Sequence, residues 1–207
     1  MLLGIEMNQV SAREKRIEFV RLATEAAACV RCPAMCERAA VLTNLNGPLS
    51  ARVMFIGEAP GRKGADRTRI PFSGDQSGKN LDRFLASVPL TRDQVFITSA
   101  ALCNPRTATG ANRRPTPKET ANCSDFLRRT IELIDPPVVV TLGSVALDAL
   151  RRIHYHDFVL KEAIGKIHRW DGRLLVPLYH PSPQVLASHR REAQQLSDYR
   201  IVAAALR

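Results

Sequence analysis

The sequence predicts an α/β fold: one domain whose central four-stranded, mainly parallel sheet is flanked by helices. Three observations carry this. Four short apolar runs, 53–56, 95–98, 138–142 and 174–179, have the length and continuous hydrophobicity of strands covered on both faces. Between them, apolar residues recur at helical spacing. Gly and Pro punctuate the joins. The 207 residues suit a single domain, 1–207, with a full core, and 45% apolar with 24% charged residues is ordinary for a globular chain.

Residues 1–10 are expected to be loose. From Ser11 to Ala28, Ile17, Val20, Leu22 and Ala26 alternate with charges, which predicts an amphipathic helix. This N-terminal extension, residues 1–28, delivers the chain to Cys29-Val-Arg-Cys32-Pro-Ala-Met-Cys36. Two cysteines separated by two residues can turn both sulfurs toward one metal centre, or lie as a reduced pair of small apolar residues.

The first strand, Val53 to Ile56, runs straight into Gly57-Glu58-Ala59-Pro60-Gly61. In open α/β sheets ligands sit at the carboxyl ends of strands, so Glu58, Asp66, Phe72 and Asp75 are expected to gather at a site mouth. A solvated Gly-rich surface loop would have the same composition. Two phosphate-loop readings fail. Residues 74–80 have one residue too few between the glycines and Asn80 where a metal-binding Ser or Thr belongs, and residues 57–61 lack the dinucleotide glycine spacing.

A helix is expected from Ser77 to Val88, with Leu81, Phe84, Leu85 and Val88 on one face. The second strand leads to Ser99, then Leu102-Cys103-Asn104, then a polar loop bearing Arg106, Asn112, Arg113 and Arg114. That loop reads either as solvated chain or as a set of phosphate contacts. Thr116-Pro117-Lys118-Glu119 is a helix start, and the helix runs past Cys123 to about Ile134, where Pro136 and Pro137 end it. After the third strand, Gly143-Ser144 opens a helix reaching about Ile153. Asp171-Gly172 predicts a hairpin joining a short strand at 166–170 to the fourth core strand. That strand ends in Tyr179-His180-Pro181-Ser182-Pro183, a histidine held by prolines where a ligand site is expected. A closing helix follows from about Arg190.

Thirty Lys plus Arg against 20 Asp plus Glu give a net charge of +10, which attracts polyanions. No apolar run approaches the ~20 residues of a membrane span, and the N-terminal Met-Leu-Leu-Gly-Ile is too short for a signal-peptide core. A cytoplasmic, monomeric protein without a membrane partner is the expectation. Five cysteines, an odd number, argue against a disulfide framework there.

Several motifs in order resemble one family. Gly57-Glu58-Ala59-Pro60-Gly61 looks like the first motif of the uracil-DNA glycosylase superfamily, in the iron–sulfur branch often called family 4. Residues 71–78 look more like the neighbouring family 5, and His180-Pro181-Ser182 is similar to the superfamily's second motif. The resemblance spans about Cys29 to Ser182. It implies a three-layer α/β/α fold, a DNA substrate, and hydrolysis of the bond between deoxyribose and uracil, the first step of base-excision repair. It also implies four cluster ligands, Cys29, Cys32, Cys103 and Cys123, leaving Cys36 as the spare. Four thiolates suit a structural 4Fe–4S cluster, with zinc as the rival.

Such chemistry needs a swung-out base, negative charge stabilised on the leaving uracil, and a carboxylate near the developing sugar cation. The resemblance assigns the first task at the base to His180, with Glu58 as first choice of carboxylate and Asp66 as second. Gly57, Ala59, Phe72, Asp75 and Ser182 would line the base pocket, and Asn104 or Asn112 would read the base edge. Ser99 departs from family 4, which has Asn there, so a lesion range wider than uracil is open. Gln184 stands where an apolar wedge is usual; Val185 or Leu186 could take that role. His189, Arg190 and Arg191 offer a phosphate patch. The alternative reading is a cluster-stabilised nucleic-acid-binding protein of the same fold with weak or no glycosylase activity.

Overall fold

The computed structural model describes residues 11–35 and 37–207, so the expectations for residues 1–10 and for Cys36 lie outside the described residues. Helix α1, Ala12–Ala27, starts at a capping box in which Ser11 and Glu14 satisfy each other's backbone N–H groups. Strand β1, Val53–Gly57, is followed by a short helix α2, Ala65–Thr68, and by α3, Gln76–Ala86. Strand β2 is Val95–Ser99, α4 is Pro117–Ile134 and β3 is Val138–Leu142. Then come α5, Ser144–Arg151, and α6, Leu160–Ala163, before the hairpin of β4, His168–Trp170, and β5, Arg173–Leu178. The chain closes with α7, Pro183–Ser188, and α8, Glu192–Ala205.

Among the described residues the sheet has five strands in the order β2-β1-β3-β5-β4, not the four expected. The first four are parallel and β4 pairs antiparallel with β5. The added strand follows from the Asp171-Gly172 turn. Both residues have positive φ, 49° and 74°, which folds the short segment back onto β5 instead of leaving it outside the sheet. Trp170 anchors this edge, 3% exposed, with its indole N–H donated to the His154 carbonyl at 2.9 Å.

Alternate side chains of each parallel strand enter opposite layers. Met54, Ile56, Phe96 and Val139 pack with α1, α4 and α5, whereas Val53, Phe55, Val138, Val140 and Val176 pack with α3 and α8. The result is the three-layer arrangement, with α1 built into it through Phe19, Leu22 and Ala26. Arg129 of α4 secures α1 through Glu25 and Glu18 at 2.5 and 3.6 Å.

Strand order reverses at β1, whose neighbours β2 and β3 follow it on opposite sides. A crevice therefore opens above the carboxyl end of β1, the place where such sheets bind ligands.

Candidate active site

That crevice is a cleft of about 420 Å³ lined by Val41, which precedes β1, and by residues from three connections. The β1–α3 segment brings Glu58, Ala59, Phe72 and Asp75. The β2–α4 segment brings Ser99, Asn104, Asn112 and Arg113. The β5–α7 turn brings His180, Ser182, Gln184 and Val185. Glu58 and His180, 122 positions apart in the chain, thus share one cavity.

Phe72 is held in an unusual way. Its φ is +50°, a left-handed conformation that aromatic residues rarely adopt. The Arg92 guanidinium compensates by donating to the carbonyls of both Pro71, at 2.8 Å, and Phe72. Two glycines make room. A Cβ at Gly57 would lie 2.8 Å from Phe72 Cε2, and a side chain at Gly78 would collide with the Phe72 carbonyl. The ring consequently lies against His180, with centroids 5.4 Å apart and planes tilted by 36°.

Desolvation shapes the electrostatics. It raises the Glu58 carboxyl above its ordinary range, an effect opposed by the nearby Arg114 guanidinium. It pushes the His180 imidazole down to about 4, with Asp75 pulling the other way. His180 is therefore uncharged near neutral pH, with an N–H available as a donor.

Asp75 caps α3 by accepting from the Gly78 N–H at 2.9 Å. Ser182 caps α7, accepting from the Val185 N–H at 3.4 Å. Asn104 is 1% exposed and its amide is fully engaged. Its Nδ2 donates to the Pro60 carbonyl at 2.6 Å and to Asn112 Oδ1 at 3.1 Å, and its Oδ1 accepts from Arg106 Nε at 2.6 Å. Asn112, which lines the cleft, accepts with Oδ1 from the Arg62 N–H at 3.0 Å as well.

Other candidates are placed differently. Asp66 does not line the cleft; its carboxylate is bound by Arg106. Gly57 contributes by its missing side chain. Leu186 packs against the α3–α8 core layer. Arg190 forms a two-pronged ion pair with Asp198, at 2.9 and 2.6 Å, which engages its guanidinium within the fold. Arg191 is exposed. Arg114 donates to Ser144 Oγ at 2.9 Å, and Arg113 is fastened to Glu119 at 2.8 and 2.6 Å. The sequence reading missed Asn80 and Gln195, two buried amides behind the His180 turn.

The four cysteines gather beside this site. Cys123 is buried and Cys29, Cys32 and Cys103 are half-buried free thiols. Burial pushes Cys103 up to about 12, reinforced by Cys123, Cys29 and Cys32, and pushes Cys123 up to about 11. Cys29 and Cys32 thus lie close enough to act on both Cys103 and Cys123. Asn122 Nδ2 donates to Cys32 Sγ at 3.3 Å. Among the described residues, no three His, Cys, Asp or Glu side chains are placed to hold a single metal ion. No described helix is long and apolar enough to cross a membrane.

Comparison with known proteins agrees with this geometry. The family model of the uracil DNA glycosylase superfamily matches residues 46–201. A type-4 uracil-DNA glycosylase of Archaeoglobus fulgidus is 35% identical over 159 residues, 74% of this chain and 76% of the relative. One from Thermotoga maritima is 33% identical over 171 residues, 82% and 83% of the two chains. A type-5 uracil-DNA glycosylase of Pyrobaculum aerophilum is 31% identical over 198 residues, 82% and 85% of the two chains.

Proposed function

The chain belongs to the uracil-DNA glycosylase superfamily, and from that membership we propose that it hydrolyses the N-glycosidic bond of uracil in DNA, initiating base-excision repair. One observation supports this most: a carboxylate from the end of β1 and a neutral imidazole from the end of β5 line the same cleft, with an aromatic face between them.

In the proposed reaction the uracil is swung out of the DNA and stacks on Phe72. The bond from the sugar C1′ to uracil N1 breaks, and its electron pair remains on the base, spread onto the carbonyl oxygen. His180 donates its N–H to that oxygen. An uncharged imidazole suits the task, because it stabilises the anion without protonating it. Glu58, ionised, faces the positive charge on the sugar and orients the water whose oxygen joins C1′, accepting its proton. Burial strengthens both interactions by excluding competing solvent.

Base reading is proposed for Asn112. Its oxygen is occupied by the Arg62 N–H and Asn104, so it offers only donors to the cleft. Donors suit the O4 of uracil and oppose the amino group of cytosine. The same logic admits other deaminated bases that carry a keto oxygen. Gln184 and Val185, on the first turn of α7, would fill the space left by the extracted nucleotide, and Arg191 would meet phosphate. Asp66 is assigned to holding Arg106 and not to catalysis.

Cys29, Cys32, Cys103 and Cys123 are proposed to hold a 4Fe–4S cluster. The desolvated thiols of Cys103 and Cys123, each close enough to Cys29 and Cys32 to feel their charge, support the four as one ligand set. Its contribution is to join α1, the segment after β2 and α4; no chemical step involves it. Absorbance near ~400 nm in the purified protein tests this reading, since a zinc protein is colourless.

The activity is tested with a labelled oligonucleotide carrying one uracil, treated with alkali after incubation. Strand scission at the uracil is expected. Binding without scission would replace the proposal with a nucleic-acid-binding role.

A further inference from the structure

Two buried carboxamides stand behind the His180 turn. Asn80 of α3 donates Nδ2 to the Pro181 carbonyl at 2.8 Å, and its Oδ1 accepts from Gln76 Nε2 at 3.0 Å. Gln195 of α8, 1% exposed, sends Nε2 to the carbonyls of His180 and Arg190, each at 3.4 Å. Two consecutive carbonyls, of His180 and Pro181, are thereby held from two different helices.

Gln195 is costly where it lies. Its Oε1 is buried with no protein partner among the described residues. A buried unmatched acceptor destabilises a fold, and an apolar side chain of similar volume would pack there at less cost. Asn80 is buried too, next to Leu81 on the buried face of α3, but both ends of its amide are hydrogen-bonded.

The layout of α3 supplies a reason for both. Its N-terminal cap is Asp75, in the cleft, and its Gly78 lies under the Phe72 carbonyl. Asn80 follows two residues later. The aromatic ring and the turn that carries the imidazole are therefore referenced to one rigid helix.

We infer that Asn80 and Gln195 form a carboxamide clamp that positions the His180 imidazole against Phe72 and toward the departing base. The inference rests on the glycosylase reading above. Neither amide touches the base; both act through His180 and are positioning residues. Displacement of a catalytic group by about 1 Å can lower turnover by up to about 10²-fold, so each loss is expected to be felt mainly in kcat.

Two variants test the clamp. Gln195→Leu removes the orphaned acceptor together with the donor, so its thermal midpoint is expected to equal or exceed that of the wild type. Its kcat on the uracil oligonucleotide is expected to fall about tenfold with KM nearly unchanged. Asn80→Asp keeps the acceptor for Gln76 but loses the donor to Pro181, and a similar fall is expected. The proton NMR titration of the His180 ring is followed in Gln195→Leu, which adds no charge, and its midpoint is expected to move upward as water reaches a loosened turn. An active wild type with both variants within twofold in kcat and an unmoved His180 titration would overturn the clamp. An inactive wild type would instead remove the glycosylase reading, while the titration shift would still report on the clamp.

Discussion

The two walls of the cleft, Glu58 to Asp75 on one side and Tyr179 to Pro183 on the other, meet the same desolvation with opposite results. Burial favours the neutral form of either group. It raises Glu58, which the proposed reaction needs as an anion, and lowers His180, which the proposed reaction needs neutral. The molecule answers where burial is unhelpful: the Arg114 charge opposes the shift at Glu58, whereas the charge felt at His180 is the carboxylate of Asp75. The supports differ likewise. The long wall is tied by guanidinium groups, Arg92 on the Pro71 and Phe72 carbonyls and Arg69 on those of Ala39 and Ala40. The short wall is stiffened by two prolines and held from behind by amides. At both groups the neighbouring charge opposes desolvation, and at His180 desolvation still wins, holding the imidazole at about 4.

The strongest test of that contrast removes each group in turn. Glu58→Ala and His180→Ala are each expected to lower kcat by about 10²–10³-fold with far-ultraviolet circular dichroism unchanged. Full turnover in both would end their assigned roles.

A pH profile separates the walls. The acid limb of kcat/KM is expected above the ordinary Glu value of 4.5, because Glu58 must be ionised and its pKa is raised, while His180 does not charge until about 4. Arg114→Ala is expected to move that limb further upward, since the charge favouring ionised Glu58 is gone. A limb that stays in place would separate Arg114 from Glu58.

Gly57→Ala probes the aromatic between the walls. Its new methyl would meet the Phe72 ring at 2.8 Å, and a rise in KM of about tenfold is expected, with kcat less affected. The smallest effect is one of stability. Glu119 is held down to about 2, chiefly by its hydrogen bonds from Arg113. Because the folded pKa lies below the ordinary one, the stabilisation is present above pH 4.5 and disappears as pH falls through about 2. Arg113→Ala is expected to lower the thermal midpoint by roughly 2–4 °C at neutral pH, a gap that closes toward pH 2.

Strong local signals were readable in the chain itself. Val138–Leu142 is found at its expected bounds, and the Thr116-Pro117-Glu119 cap places the start of α4 at Pro117. Helices α2 and α7, of four and six residues, are too short to show a period and stand where loop was expected. The fifth strand was visible as a hairpin, but its membership of the sheet depends on a turn conformation that composition does not fix. In the site, motif order pointed to Glu58 and His180, yet not to which asparagine is free. Asn104 and Asn112 look alike in sequence; only their hydrogen bonds show both ends of the first amide engaged and, at the second, bonds to the oxygen. Arg190 seemed as available as Arg191 until Asp198, eight residues on, is seen to engage it. Asn80 carries a faint signal, a polar residue inside an apolar stripe, which becomes meaningful once a carbonyl lies opposite; Gln195, on a helix with no clear apolar face, carries none.

Cys103 and Asn104 are neighbours in the chain, and the second anchors the Pro60 carbonyl two residues from Glu58. A displacement of the backbone at Cys103 would therefore reach the Pro60 carbonyl, and with it the segment that carries Glu58, through a single side-chain amide.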